Sequence, residues 1–561
     1  MSSSSSTSLT SHFPDEQSRK EPELATWRRP AAWWLMIYAP FSMVVQTATA
    51  GASLELYNNL ICHQIRAEPQ SITLLHPFAA DVQILSDLAF NASLPGSGSC
   101  SSDPSVQAEV AKLATAVATI TGILTFVTAA WWGSFSDRYG RTRMMGISAI
   151  GHTFGLANTI LVAKQVERVP GGYWFIAINA VIMGIIGGNA SELAAMNAYV
   201  ADISTSEERS RVFSFVMGSM LVGVGVGPII GSLILRLSHD VFVVFYFAVA
   251  LRLIHTLFIW IVLPESLTRL QMSEATTRYR DSLQSGSAHP RLHYIYILFE
   301  PLAIFWPKKH VDQFSGRKKR HWNLFTLALA DGSMLLASSS VISQFLYALR
   351  TFQWDGEYLG YCLSSIGFAR AAFLAIVLPV LIKLAKRENK PASPPGHTDP
   401  SDERQPLLSS PPSSPDEAGS SPPHSISHAS YFDLSLARFS ILVHIITFAL
   451  LPFAPTSILF IVFISLGSFA AGLSPAINSV ALELYTHQAG VDGAVESGKL
   501  YGALSVVQAL FGNILGPPIY GLIYSMTVAS HPRTVFFVAL GNAAVSLVLL
   551  VFVRLPSRHG L

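Results

Sequence analysis

Charge is scarce in this chain. Only 13% of its 561 residues are Asp, Glu, Lys or Arg, where a soluble chain carries about 25%. A net charge of +2 offers no basic face, so nucleic acid is excluded as a partner. Three cysteines exclude a disulfide scaffold and a zinc-cluster framework. The sequence also lacks Gly-x-x-x-x-Gly-Lys-Ser/Thr, His-Glu-x-x-His, a Cys-x-x-Cys pair and a nucleophile elbow. ATP-driven chemistry, a catalytic metal and a hydrolase site lose their usual carriers. The expectation is no enzyme, no cofactor and no metal. The N-terminal stretch MSSSSSTSLTSHFPDEQSRKEPE has no apolar core, so it does not read as a cleavable signal. Residues 1–31 read instead as a disordered tail.

What the chain has is apolar length. Half of its residues are hydrophobic, and twelve runs reach the roughly 20 residues that cross a bilayer as a helix. They are 32–52, 108–132, 144–164, 173–200, 212–235 and 241–263, then 323–348, 359–384, 434–453, 456–484, 500–525 and 533–554. The predicted fold is an all-α membrane protein of twelve transmembrane helices in two pseudo-symmetric six-helix bundles, 32–263 and 323–554. Placing both termini in the cytoplasm, with residues at span edges counted to the nearer side, puts 27 Lys and Arg inside, 7 outside and 3 within spans, the asymmetry of the positive-inside rule. Residues 53–107 then form an external loop and 264–322 a basic cytoplasmic linker. Within the linker, HYIYILFEPLAIFWP at 293–307 is too short to span and reads as a segment lying in the membrane interface. A Pro/Ser-rich insert at 385–430 reads as disordered and cytoplasmic, and 555–561 is a short cytoplasmic tail.

The most informative local feature is Gly133-Ser-Phe-Ser-Asp137-Arg138-Tyr-Gly140-Arg141-Thr-Arg143, a charged turn between the second and third spans. It resembles the loop 2–3 signature of the major facilitator superfamily, Gly-x-x-x-Asp-Arg-x-Gly-Arg-Arg/Lys-Arg/Lys, departing mainly at Thr142. The fifth span carries Gly223, Gly225, Gly227-Pro228 and Gly231, which resembles the antiporter signature of the drug-exporter branches, with Ser232 in place of the last glycine. Small residues at these spacings also suit plain helix packing. Gly516-Pro517 repeats the pattern loosely in the eleventh span, as repeated halves would. The end of the fourth span, with Asp202, Arg209 and Arg211, is similar to the tetracycline-exporter and folate-carrier-like branches. The resemblance covers about residues 30–556 and implies a eukaryotic, fungal-like transporter working by alternating access. It implies a gate in which Gly133, Asp137, Arg138, Gly140, Arg141, Asp202 and Arg211 latch one conformation.

Ionisable residues inside the spans are the candidate substrate and proton pathway, because each costs several kcal/mol unless paired or wet. Glu192 leads. Asn189, Glu192, Met196 and Tyr199 share one helical face, so Glu192 is expected to face the central cavity. A structural hydrogen-bond role between helices is the alternative. No Arg occurs between Tyr173 and Asp202, which departs from the arginine signature of many proton-coupled relatives. Asp331 lies at similar depth in the other half and is either a second cavity carboxylate or a hydrated one. Arg370 sits mid-span, and Arg252 and His255 share a face of the sixth span. His152 and His444 are weaker candidates.

The functional expectation is a secondary transporter moving a small organic solute, coupled to protons and acting as a monomer in the lipid bilayer. The alternatives are a proton-independent facilitator and a non-transporting nutrient sensor on the same fold. Cys62 and Cys100, both in 53–107, are expected to form a disulfide on the oxidising side. Asn91 is the accessible glycosylation acceptor. Glu403 with Leu407-Leu408 resembles a dileucine sorting signal read by an adaptor, which would favour a vacuolar or lysosomal membrane over the plasma membrane.

Overall fold

The computed structural model describes residues 29–73, 103–204, 208–285, 300–307, 309–311, 318–320, 322–380, 428–489 and 497–555. Eleven helices among these are individually long and apolar enough to cross a membrane. The remaining span is built from two helices, Ala32–Thr47 and Ala50–Thr73, which fall short of that test singly. Together they give twelve, with the boundaries close to those read from hydropathy for most spans.

The first span is the main exception. Its helix does not end at 52 but runs on to Thr73, into the segment expected to be external loop. Polar residues there made the stretch look like loop. In the fold they have partners: Gln107 donates to buried Asn58 at 3.2 Å. Ala52, Leu56 and Leu60 recur every four residues and are buried together against the other outer helix ends. The second span accordingly begins early, at Pro104, with Asp103 capping the amide of Ser105 at 2.9 Å.

The turn between the second and third spans is also tighter than expected. The helix Pro104–Tyr139 contains Gly133, and the next helix opens at Arg141. Gly140 alone makes the reversal, with φ of 113°, a conformation that side chains other than glycine rarely adopt. Gly133 is helical and has open space around it, so the turn does not require it.

The fourth span is broken. It runs Gly172–Ile203 overall, but Gly187 and Gly188 have φ of 89° and 55° and separate Ala177–Ile185 from Gly188–Ile203. Between the halves, the linker includes a helix, Arg269–Ser285, and a small antiparallel hairpin pairing Lys309–Val311 with Lys318–Arg320. Of the expected interface segment, Glu300–Phe305 forms a 3-10 turn beside the start of the eleventh span, with Phe305 buried and Trp306 exposed.

The two halves use the same packing scheme. Gly223, Gly227 and Gly231 press the fifth span onto the backbone of the first, at Pro40, Val44 and Ala48. Gly516 packs the eleventh span on Ser339 of the seventh, whose hydroxyl donates to Gly512 O at 2.8 Å. The fifth helix continues through Pro228 without interruption. Across the halves, the fifth span meets the eighth and the second meets the eleventh. These cross-contacts gather at the end away from Gly140. Gly356 N donates to Glu55 at 2.7 Å, Ser232 Oγ to Glu357 O at 2.9 Å, and Thr115 Oγ1 to Pro517 O at 3.5 Å. At the Gly140 end, Gly218 and Gly502 have no neighbour within 4 Å, and Phe215, Met217 and Tyr501 are exposed. The halves therefore touch at one end and part at the other.

Candidate functional site

Glu192 follows directly from the helix break. It stands in the second turn of Gly188–Ile203, just beyond the break. It is only 8% exposed, and it turns into the N-terminal bundle rather than towards the space between the halves. Tyr38 OH donates to Oε1 at 2.6 Å and Ser42 Oγ to the same oxygen at 3.1 Å. Ser148 Oγ donates to Oε2 at 2.8 Å. The first and third spans thus supply three hydroxyls to one acid of the fourth. The expectation that Glu192 faces the cavity is corrected: helical spacing gives a residue's face, not the neighbour that fills it. Met196 and Tyr199 are buried on the same side, whereas Asn189 is exposed.

Asn189 nevertheless joins the cluster. Its Oδ1 lies 2.8 Å from His152 Nε2, and His152 Nδ1 lies 2.9 Å from the carbonyl of Ser148. His152, ranked low in the sequence, is the link between an exposed amide and the serine that holds Glu192. On the far side stand Arg252, 2% exposed, and His255, fully buried. His255 stacks on the Tyr38 ring at 5.1 Å and meets Phe41 edge-on at 5.3 Å.

Asp331 and Arg370 do not enter this cluster. Asp331 is half-buried and Arg370 exposed, and neither has a hydrogen-bond or ion-pair partner among the described residues. No group of three or more potential metal ligands gathers among the described residues.

The charged turn forms a second site. Arg141 contacts Asp137 at 2.5 Å and Asp202 at 3.2 Å, and it donates to Ser136 Oγ at 3.2 Å. Asp202 also accepts from Ser266 Oγ at 2.9 Å. Arg138 lies over the ring of Tyr279 on the linker helix, 3.8 Å from its centre. The side chain of Arg211 lies outside the described residues. Sequence reasoning missed Glu265. It accepts from the amides of Arg141 and Thr142 at 2.8 and 3.0 Å and from the Thr142 hydroxyl at 2.5 Å, capping the third span from the end of the sixth. Its only signal was an acid directly after the Leu263-Pro264 stop. Tyr199 OH donates to that Pro264 carbonyl at 2.8 Å.

Cys62 is buried in the first span's outer extension and is disulfide-bonded. Cys362 is a buried free thiol. Cys100, Asn91, Glu403, Leu407 and Leu408 lie outside the described residues.

Comparison with known proteins agrees with this architecture. The Major Facilitator Superfamily pattern matches residues 82–393, more than half of the chain. The chain belongs to the major facilitator superfamily. It is a multi-pass membrane transporter of that family. It is 25% identical over 478 residues to the uncharacterized membrane protein YJL163C of Saccharomyces cerevisiae, covering 80% of this chain and 76% of that one. It is 25% identical over 279 residues to the class B tetracycline resistance protein of Escherichia coli, covering 47% and 64%. Its fold is similar to the crystal structure of the human organic anion transporter MFSD10, with a TM-score of 0.52, 16% identity and coverage of 93% and 100%.

Proposed function

We propose that this superfamily member is a proton-coupled secondary transporter of a small organic solute, and that Glu192 is its proton site. The observation that carries the reading is the Glu192 cluster. A carboxylate is buried beside a broken helix, held by three hydroxyls, and connected through Ser148 and His152 to an exposed amide. An acid at membrane depth reads by default as a functional site, and discontinuous helices commonly frame coupling sites in transporters. The positive-inside asymmetry supports a cytoplasmic Gly140 end. On that reading, the halves part towards the cytoplasm, one side of an alternating-access cycle. The Asp137–Arg141–Asp202 ion pairs then serve as the gate that must break and reform as the halves rock. Glutamate protonation would change the charge of the bundle interior once per cycle and thereby tie the gate to the gradient.

The test is reconstitution. A thermal-stabilisation screen first finds a solute that binds the folded chain. Flux of that solute into proteoliposomes is then measured with and without a pH gradient. Glu192→Gln keeps shape and removes titration. Gradient-driven accumulation should fail while solute exchange survives. Accumulation by the variant at the native level would remove Glu192 from the coupling role.

A further inference from the structure

Arg252 is the anomaly of the N-terminal bundle. It is among the largest fully buried side chains, yet its Nε and Nη1 have no hydrogen-bond partner. His255, one turn along the same helix, is buried with both ring nitrogens unpartnered. Guanidinium does not shed its proton in proteins, and a buried charge without a partner is strongly unfavourable. The carboxylate that could answer it stands in the same low-dielectric pocket. Arg252 and Glu192 interact electrostatically but form no ion pair at 4 Å or less. Glu192 is occupied instead by Tyr38, Ser42 and Ser148. Tyr38 donates to the acid and stacks on His255, one turn from Arg252.

We propose that Arg252 is the counter-charge of Glu192, engaged in the opposite conformation of the transport cycle and released in this one. This deepens the proton-coupling reading and rests on it. The sixth span supplies the cation, since the fourth span has no arginine between Tyr173 and Asp202. In the conformation described here the acid is satisfied by neutral hydroxyls and the arginine carries the strain. In the other, the sixth span moves relative to the fourth and the pair closes. Protonating Glu192 abolishes the attraction and releases the pair. The groups that face the acid are Tyr38 and Ser42 from the first span, Ser148 and His152 from the third, and Arg252 and His255 from the sixth. The second span brings Thr125 and Trp132 to the helix break, neither of them charged. Arg252 is a positioning residue, because it acts through Glu192 and touches no solute in this arrangement.

The experiment measures the conformational equilibrium of the full chain in nanodiscs. Spin labels at Gly218→Cys and Gly502→Cys report the opening at the Gly140 end, where both glycines face open space. Cys362 is buried and Cys62 is disulfide-bonded, so neither competes for label. Arg252→Gln should deplete the short-distance population about tenfold, and Arg252→Lys should restore it. Glu192→Gln should deplete it equally, and the double variant no further. An unchanged distribution in Arg252→Gln, or effects of the two substitutions that add, would overturn the proposal. Should Arg252→Gln fail to fold, the double variant, which removes both charges, is compared with Glu192→Gln alone. A double variant that folds where Arg252→Gln does not, with the Glu192→Gln distribution, supports the pair; a double variant that also fails to fold, or a further shift, refutes it. The two readings fail separately. Native accumulation by Glu192→Gln ends the coupling role and leaves the pair standing, whereas unchanged distances end the pair and leave coupling standing.

Discussion

Arg141 and Asp202 meet at 3.2 Å although 61 residues separate them. The same guanidinium holds Asp137 one turn before it, so the turn and the end of the fourth span are tied at a single side chain. Ser266 brings the linker's first residues into the same knot through Asp202. Asp137 is half exposed, with 51% of its side chain accessible. An exposed pair of this kind contributes only about 0.2–1 kcal/mol to stability. Asp137→Asn should therefore leave thermal stability almost unchanged. If the pair latches one conformation, the same variant should slow maximal transport about tenfold, equivalent to about 1.4 kcal/mol, with little change in solute affinity. A variant with altered affinity and a native maximal rate would exclude the gating role.

Gly140 and Gly133 stand in the same sequence signature but do different work. Gly140 has φ of 113° and ψ of 150°, a region that only glycine visits readily, and an added Cβ would also meet the Glu265 carboxylate. Gly140→Ala should cost about 1–3 kcal/mol in strain. Gly133 lies in a helix interior with nothing near it, so Gly133→Ala should be neutral or stabilise by about 0.5–1 kcal/mol. Paired thermal-unfolding curves of the two variants in detergent check this; an equal loss from both would contradict the one-residue turn.

The span pattern was legible because membrane helices must satisfy their own backbone and present apolar side chains for about 20 residues, which hydropathy reads directly. The first span's extension was not legible, because Asn58 and Gln107 look like loop residues until each is seen to be the other's partner. The break in the fourth span was written in the adjacent Gly187 and Gly188, yet two glycines alone do not say that both take positive φ. Glu192 stood out by its depth in the span, but its direction depended on Tyr38 and Ser148, which precede it by 154 and 44 residues. His152 ranked low as a lone span histidine, and Glu265 offered only an acid after a Leu-Pro stop. Each matters through distant contacts, His152 with Asn189 and Glu265 with Arg141 and Thr142, which a single sequence cannot reveal.

We propose that Glu403, Leu407 and Leu408 form an address read by a sorting adaptor. The two leucines stand in an otherwise polar Pro/Ser-rich stretch, and an acid four residues ahead of them matches the acidic-x-x-x-Leu-Leu resemblance. An apolar pair with a nearby acid suits a pocket with a basic rim. A tagged Leu407→Ala, Leu408→Ala variant should leave a vacuolar or lysosomal membrane and accumulate at the cell surface. An unchanged distribution would remove this signal as the determinant.

The bonded state of Cys62 leaves a question of partner, and we propose Cys100. With Cys362 free and only three cysteines in the chain, Cys100 is the intramolecular choice. A bridge closing a loop of this length is worth about 2–4 kcal/mol. Cys62→Ser and Cys100→Ser should each lower thermal stability by the same amount, and the double variant by no more. Additive losses would show that the two thiols act independently. In the same segment, Asn91→Gln should remove a glycan-dependent mobility shift when the chain is made in a eukaryotic host, and Asn189 should carry no glycan.

A close cross-half approach lies midway along the spans, where Gly367 of the eighth meets Gly225 of the fifth. A Cβ built on Gly367 would stand 2.9 Å from Gly225 Cα, 3.0 Å from its nitrogen and 3.3 Å from the Val224 carbonyl carbon. All three are backbone atoms, which cannot swing aside as a flexible side chain would. Phe368 next to it fills the other side of Gly225. The contact lies between the closed end, where Gly356 is bound by Glu55, and the open end, where Gly218 has no neighbour. It is therefore the natural pivot for rocking, since a point between a closed and an open end moves least. Overpacking at a tight contact costs about 1–3 kcal/mol, and here it would be felt in both conformations. Gly367→Ala should lower the unfolding temperature and the transport rate together. Gly541→Ala on the twelfth span, where no atom lies within 4 Å, should change neither. Measuring both variants for stability and for solute exchange separates the outcomes. A Gly367→Ala chain with native stability and native exchange would mean that the halves do not pivot on this pair of glycines.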